Sequence, residues 1–191
     1  MEHYEKPLSS ELLYDGRILK LFRDRVRLEN GTEAERELVR HPGGVAVLAI
    51  DGGDNVLFVR QYRYPYARAL LELPAGKLSP GEDPAACGLR ELEEETGFTA
   101  RDYRFLGRVY PSPGYTDEVL HLYLARDLVP TRQKLDEDEF LTVEKIPYEK
   151  AVALCMDGSV EDAKSLAALL KFHILRSFDK QGIINLPPSK I

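Results

Sequence analysis

The stretch Gly76–Phe98, GKLSPGEDPAACGLRELEEETGF, constrains this chain more than any other. The turn Leu78-Ser79-Pro80-Gly81 leads to Asp83, a good helix N-cap, and Pro84 suits the first helical position, where its missing N–H costs nothing. Gly97 can take the left-handed conformation that ends a helix. A helix over 84–96 is therefore predicted. Within it Glu91, Glu94 and Glu95 stand at i, i+3 and i+4, so their carboxylates share one face. Like charges at that spacing destabilise a helix by roughly 0.3 kcal/mol per pair. A hard divalent cation held between them removes the repulsion, so the arrangement asks for a metal.

The rest of the chain must supply a body for that helix. With 191 residues, 43% of them hydrophobic and 30% charged, it fits one ordinary globular domain with a small appendage. A net charge of −6 argues against a general nucleic-acid binder, which would concentrate Lys and Arg on one face. The longest apolar run, Val45–Ile50, is far too short to span a membrane, and MEHYEKPLSS at the start has no apolar core. The expectation is a cytoplasmic protein with neither a membrane nor a nucleic-acid partner. Cys87 and Cys155 lack CxxC or Cys/His spacing and read as buried free thiols. His3, His41, His121 and His173 show no ligand spacing either.

Taken in order, Ile18–Leu28 partly alternates apolar and charged residues, turns at Glu29-Asn30-Gly31, and returns over Ala34–His41 as a β-hairpin. Pro42-Gly43-Gly44 separates this small β unit from the main domain. Gly44–Ile50 is a continuous apolar run, hence a buried strand; Asn55–Tyr62 returns as a second, and Ala69–Leu73 is a third. After the helix come strands at Tyr103–Tyr110 and Glu118–Ala125, joined by Pro111-Ser112-Pro113-Gly114-Tyr115-Thr116-Asp117, a composition typical of functional loops. An acidic loop over Arg132–Glu139, a strand near Phe140–Lys145 and helices at Tyr148–Met156 and Val160–Phe178 complete the domain. The predicted class is α/β, an α/β/α sandwich with a mixed sheet plus an N-terminal antiparallel β unit. Its expected divisions are an N-terminal unit over 1–42, a main domain over 43–180 and an irregular tail over 181–191.

Gly76, Glu82, Arg90-Glu91-Leu92, Glu94-Glu95 and Gly97 together match the fixed positions of the Nudix hydrolase signature box, and the chain is identified as resembling that family. Pro113 stands sixteen residues beyond Gly97, and Ser112-Pro113-Gly114 is similar to the ADP-ribose pyrophosphatase branch. The segment Arg36–His41, the triplet Gln61-Tyr62-Arg63 and the run Asp136–Glu139 extend the likeness over most of the chain.

This resemblance implies a loop–helix–loop on an α/β/α sandwich and cleavage of a nucleoside diphosphate joined to another group. It implies two or more Mg²⁺ ions, with Mn²⁺ as an alternative, held by Glu91, Glu95, the carbonyl of Ala75, and Glu94 directly or through water. Glu139 resembles the loop carboxylate that completes the cluster, and Glu94 and Glu95 are counted with the catalytic residues. Glu137 is the best match for the general base, with Asp136 and Asp138 as alternative registers. Gly76, Glu82, Arg90 and Gly97 are expected as support, Arg90 by orienting a metal-binding Glu through a bidentate pair. Arg63, whose planar fork suits a phosphate, is expected to contact substrate with Glu37, Arg40, Pro113 and Gly114. The chain departs from relatives at Ile18 and Arg36, where some members place stacking aromatics.

The implied reaction is Mg²⁺-dependent hydrolysis of ADP-ribose to AMP and ribose 5-phosphate by a domain-swapped homodimer. A β unit of fewer than fifty residues is hard to stabilise alone, which agrees with dimerisation. The rival substrates are GDP- or UDP-sugars. A silent nucleotide-sugar sensor and a hydrolase of oxidised nucleoside triphosphates are more distant alternatives.

Overall fold

The computed structural model describes residues 3–135 and 139–180, and the chain divides into two compact units. The first comprises Met1–Gly43 with Tyr110–Val119, the second Gly44–Val109 with Leu120–Ile191.

In the first unit, strands β1 (Lys6–Asp15), β2 (Lys20–Arg27) and β3 (Glu33–Arg40) form an antiparallel sheet in that order. The expected hairpin is β2–β3. Gly31 takes φ 85° in its turn, and the Asn30 carboxamide oxygen accepts from the Thr32 N–H at 3.0 Å. β1 is not legible in the sequence, because the apolar residues of KPLSSELLYD are interrupted by Ser9-Ser10-Glu11, and the strand stays exposed along its length. Its pairing with β2 makes it a strand, aided by the ion pairs Glu11–Arg23 at 2.6 Å and Asp15–Lys20 at 2.7 Å. The loop after Tyr110 joins this unit through backbone bonds to β3: Val39 N–H donates to the Tyr115 carbonyl at 2.7 Å. Asp117 returns to the Val39 carbonyl at 3.2 Å.

The second unit contains β4 (Gly44–Ala49), β5 (Asn55–Arg63), β6 (Arg68–Glu72), β7 (Ala75–Lys77) and α1 (Pro84–Thr96). It continues with β8 (Phe98–Val109), β9 (Leu120–Pro130), β10 (Leu141–Pro147), α2 (Tyr148–Met156) and α3 (Ala163–Lys180). The mixed sheet runs β7-β4-β9-β8, with β4 parallel to β9 and its other pairs antiparallel; β10-β5-β6 is an antiparallel sheet. β4 is buried on both faces, which explains its unbroken apolar run. Ala46, Leu48 and Ile50 face a core with Leu169 and Phe172 of α3 and Ala151 of α2. Val45, Val47 and Ala49 face the other core with Cys87 and Leu92 of α1 and with Tyr103 and Tyr123. Helices therefore cover both faces of the mixed sheet, as an α/β/α sandwich requires. Full burial of each large side chain in these clusters is worth about 1.5–3 kcal/mol.

The two cysteines are free and buried, and burial pushes the Cys87 thiol up to about 12 and the Cys155 thiol up to about 11, so both are unreactive. Among the described residues no helix is long and apolar enough to cross a membrane.

Candidate active site

Local chemistry sets the span of α1. The Asp83 carboxylate accepts from the Ala85 and Ala86 N–H groups at 3.0 Å, Pro84 opens the helix, and Gly97 closes it at φ 73°. One face, with Cys87, Gly88 and Leu92, enters the core. The adjoining face turns Glu91 and Glu95 towards β7.

That approach is close. β7 pairs with β4 through Ala75 and Gly76, and a side chain added at Gly76 would place its Cβ 1.9 Å from the Glu91 carboxyl carbon. Gly76 is therefore required by the Glu91 carboxylate lying over its backbone. Ala75 donates its N–H to Glu95 Oε2 at 3.0 Å. Glu91 is 8% exposed and Glu95 2%.

Burial raises the pKa of both carboxyls. For Glu91 the Arg90 guanidinium opposes the rise, while Glu94 and Glu139 add to it. For Glu95 burial dominates; the Ala75 N–H and Lys164 oppose it, Glu91 and Glu139 reinforce it, and the group is pushed up to about 8. Acids that resist ionisation because they are buried beside other acids are relieved by a bound cation.

Arg90 braces the helix face. Its Nε reaches Glu82 Oε1 at 2.9 Å, and its Nη1 stands 2.9 Å from Glu91 Oε1 and 2.8 Å from Glu94 Oε2. Glu82 also accepts from the Ser79 N–H at 2.9 Å, and the Arg90 bond draws its pKa down to about 2. The two-nitrogen pair of Arg90 is thus made with Glu82, Nη2 reaching Glu82 Oε2 at 3.2 Å, and not with a metal-binding Glu as expected; Glu91 and Glu94 share the single nitrogen Nη1. Among the described residues no group of three or more His, Cys, Asp or Glu stands arranged to hold a metal ion. Glu91 and Glu94 each meet Arg90 Nη1 through one carboxylate oxygen. The donor chemistry nevertheless fits a hard divalent cation: buried acidic oxygens outnumber the cations beside them.

The loop after β9 is tied to the end of α1. Gln133 Nε2 donates to the Glu95 carbonyl at 2.6 Å, Lys134 N–H to the Glu94 carbonyl at 2.9 Å, and Thr131 N–H to the Gly97 carbonyl at 2.7 Å. Glu139, half-buried, acts electrostatically on Glu91 and Glu95. Glu137, with Asp136 and Asp138, lies outside the described residues.

Arg63 is engaged within the protein. Its Nε and Nη2 donate to the two oxygens of Glu72 at 2.6 and 2.8 Å. Lys164 Nζ reaches Glu72 Oε2 at 2.5 Å and Asp162 Oδ1 at 2.9 Å. Burial alone would raise the pKa of Glu72, but the Arg63 fork and the Lys164 ammonium outweigh it and bring it down to about 2. Sequence reasoning singles out neither Glu72 nor Lys164. The one trace is a lone acid inside the apolar run Leu70-Leu71-Glu72-Leu73.

Glu37, Arg40, Pro113 and Gly114 belong to the first unit. There Arg40 Nη1 bonds Asp117 Oδ2 at 2.8 Å, and Asp117 Oδ1 accepts from the His41 N–H at 3.0 Å. Pro113 and Gly114 are exposed in the turn after Ser112, whose carbonyl accepts from Tyr115 and Thr116 at 3.2 Å, and Glu37 is exposed on β3. Asp117 thus joins the strand bearing Arg40 to the loop bearing Pro113.

Comparison with known proteins agrees with this geometry. Residues 40–169 match the family model described as NUDIX domain, and residues 5–39 match that of the nucleoside diphosphate sugar hydrolase N-terminal domain. The chain is 40% identical over 179 residues to the ADP-ribose pyrophosphatase of Bacillus subtilis (strain 168), covering 93% of this chain and 97% of that one. It is 41% identical over 167 residues to the methanol dehydrogenase activator of Bacillus methanolicus, covering 86% and 90%. The crystal structure of an ADP compounds hydrolase superposes with a TM-score of 0.79 at 25% identity, covering 94% of this chain and 97% of that one. With the signature residues gathered on α1 and β7, this chain belongs to the Nudix family.

Proposed function

We propose that the protein hydrolyses the diphosphate of ADP-ribose, releasing AMP and ribose 5-phosphate, in a reaction that depends on Mg²⁺. The observation that carries the reading is the pair of buried carboxylates, Glu91 and Glu95, set against the backbone of Ala75 and Gly76. Such a pair is costly to bury as anions unless a cation joins it. Glu91, Glu95 and the Ala75 carbonyl would hold the ion, Glu94 would bind it directly or through water, and Glu139 would complete the set. When bound, divalent ions screen the diphosphate and acidify the attacking water. Arg90 keeps Glu94 and Glu91 oriented between turnovers, and Glu137 takes the proton from the water. Arg63, steadied by Glu72, presents its remaining N–H groups to a phosphate oxygen, while Glu37, Arg40 and the Pro113-Gly114 turn contact the nucleoside and terminal ribose.

The substrate follows from the Bacillus subtilis relative and the ADP compounds hydrolase structure. A GDP- or UDP-sugar is the second reading, favoured by the positions where aromatics would stack on a base. Ile18 is half exposed, and Arg36 is engaged with Glu5 at 3.0 and 2.5 Å. A homodimer belongs to the same proposal. The first unit exposes Leu8, Leu12, Leu13, Tyr14, Ile18 and Leu19, an apolar surface suited to a second copy. Size-exclusion chromatography yielding a monomer at micromolar concentration would count against that part.

A panel of nucleotide sugars incubated with Mg²⁺ and an excess of alkaline phosphatase tests the function, since only the cleaved products release phosphate. ADP-ribose is expected to give the highest kcat/KM. A GDP- or UDP-sugar ahead of it would move the assignment to the second reading, and no release from any of them would overturn both.

A further inference from the structure

We infer that Ser165, Lys164 and Glu72 are positioning residues for the divalent-ion site, which act through the segment Leu73–Gly76. This rests on the reading that Ala75, Glu91 and Glu95 hold the ion.

Each residue approaching Ala75 is tethered. Glu72 is 2% exposed and gripped by Arg63 from β5 and Lys164 from α3. Leu73 donates its N–H to Ser165 Oγ at 2.8 Å, the Pro74 carbonyl accepts from the Val47 N–H at 2.9 Å, and Ala75 N–H reaches Glu95 at 3.0 Å. Ser165 is itself fixed. It is wholly buried, its hydroxyl donates to Asp162 Oδ2 at 2.5 Å, and its N–H donates to the same oxygen at 3.0 Å. The first turn of α3 is thus bonded to the backbone two residues before Ala75, whose carbonyl would hold the ion.

Ordinary stability is a weak reason for such a construction. A buried ion group often contributes less than well-packed apolar residues of similar volume would, whereas it does define geometry. Four elements converge on Glu72–Ala75, where the chain passes from one sheet to the other: β5 through Arg63, α3 through Lys164 and Ser165, β4 through Val47 and α1 through Glu95. The carbonyl and N–H of Ala75 have no side chain to adjust their position, so their placement depends on what holds the backbone. Groups that orient metal ligands from outside the ligand set typically change affinity 10- to 100-fold when removed.

The test is Mn²⁺ binding to the whole protein by electron paramagnetic resonance, alongside the Mg²⁺ concentration that half-activates ADP-ribose hydrolysis. Ser165→Ala is expected to weaken Mn²⁺ binding about tenfold and to raise the half-activating Mg²⁺ by a similar factor. Leu169→Ala, also on α3 and fully buried, is the control for general destabilisation; it is expected to lower Tm with the Mn²⁺ affinity unchanged. If Ser165→Ala does not fold, Lys164→Met, whose side chain is 12% exposed, is expected to shift Mn²⁺ affinity in the same direction. Wild-type affinity in the folded variant, or an equal loss in Leu169→Ala, overturns the inference. A wild-type protein that binds no Mn²⁺ overturns the underlying reading of the site, and the inference with it.

Discussion

Replacing Glu72 by Gln should cost a pH-dependent amount of stability that can be worked out in advance. The carboxylate is 2% exposed, and its pKa lies at about 2 against an ordinary 4.5. A folded-state pKa below the unfolded one contributes stability that is complete above the unfolded value and lost as pH falls through the folded one. At about 1.36 kcal/mol per decade, Glu72 ionisation favours the folded state by about 3 kcal/mol at pH 7 and by roughly half as much at pH 3. Gln stands in for the protonated acid, so the gap between wild type and Glu72→Gln should follow those figures. Urea unfolding monitored by far-ultraviolet circular dichroism at the two pH values measures it. Taking the difference cancels the other acids whose pKa folding lowers, such as Asp51 and Asp117. A gap of equal size at both pH values, or none at pH 7, is incompatible with an ionised Glu72 held by Arg63 and Lys164.

Other substitutions separate packing from catalysis. Gly76→Ala puts a methyl 1.9 Å from the Glu91 carboxyl carbon and should lower kcat/KM about 100-fold by displacing that ligand, with little change in Tm; near-normal turnover would mean that Glu91 need not lie where it does. Among the described residues the buried Tyr103 hydroxyl has no hydrogen-bond partner, so Tyr103→Phe should stabilise the protein by about 1 kcal/mol in urea unfolding. Gly88→Ala would bring a Cβ to 2.0 Å from that same hydroxyl but only to 3.3 Å from the ring carbon that bears it, so it should be tolerated far better in the Tyr103→Phe background. Additive losses in the double-mutant cycle would rule that clash out. Glu137→Gln should lose most turnover while substrate still binds, and a near-normal rate would exclude Glu137 as the base.

The parts of this fold that are legible in the sequence are those whose causes are local. Asp83, Pro84 and Gly97 bound α1 at residues 84–96 because cap, first-turn proline and left-handed glycine act within a few residues. α2 likewise runs from Tyr148 to Met156 as expected, and the apolar run after Gly44 is a doubly covered strand. Elements made by distant partners are not legible. Ala75–Lys77 reads as a loop through its Pro-Ala-Gly approach, and becomes a strand because β4 offers an edge. β8 begins at Phe98 rather than Tyr103, since Phe98–Ala100 pair with Leu128–Pro130. α3 starts at Ala163, three residues after the expected Val160, because Asp162 receives the Ser165 N–H at its start. In the site, the spacing of Glu91, Glu94 and Glu95 announces a cation, but the grip of Arg90 on Glu91 and Glu94 together requires coordinates. The Glu72–Lys164 pair spans 92 residues of chain, and no periodicity records a contact of that length.

At the heart of the proposal, Glu95, buried beside Glu91, belongs to a divalent-ion site that cleaves ADP-ribose. The direct measurement is chromatographic rate determination of AMP and ribose 5-phosphate from ADP-ribose, for wild type with Mg²⁺, wild type with EDTA, and Glu95→Gln with Mg²⁺. Equimolar products are expected only with Mg²⁺, and Glu95→Gln should be slower by about 10³-fold or more from loss of an ion ligand. This variant should also unfold at no lower a Tm than metal-free wild type, since Gln carries no buried charge. Hydrolysis that persists in EDTA, or a Glu95→Gln rate close to wild type, would contradict the assignment.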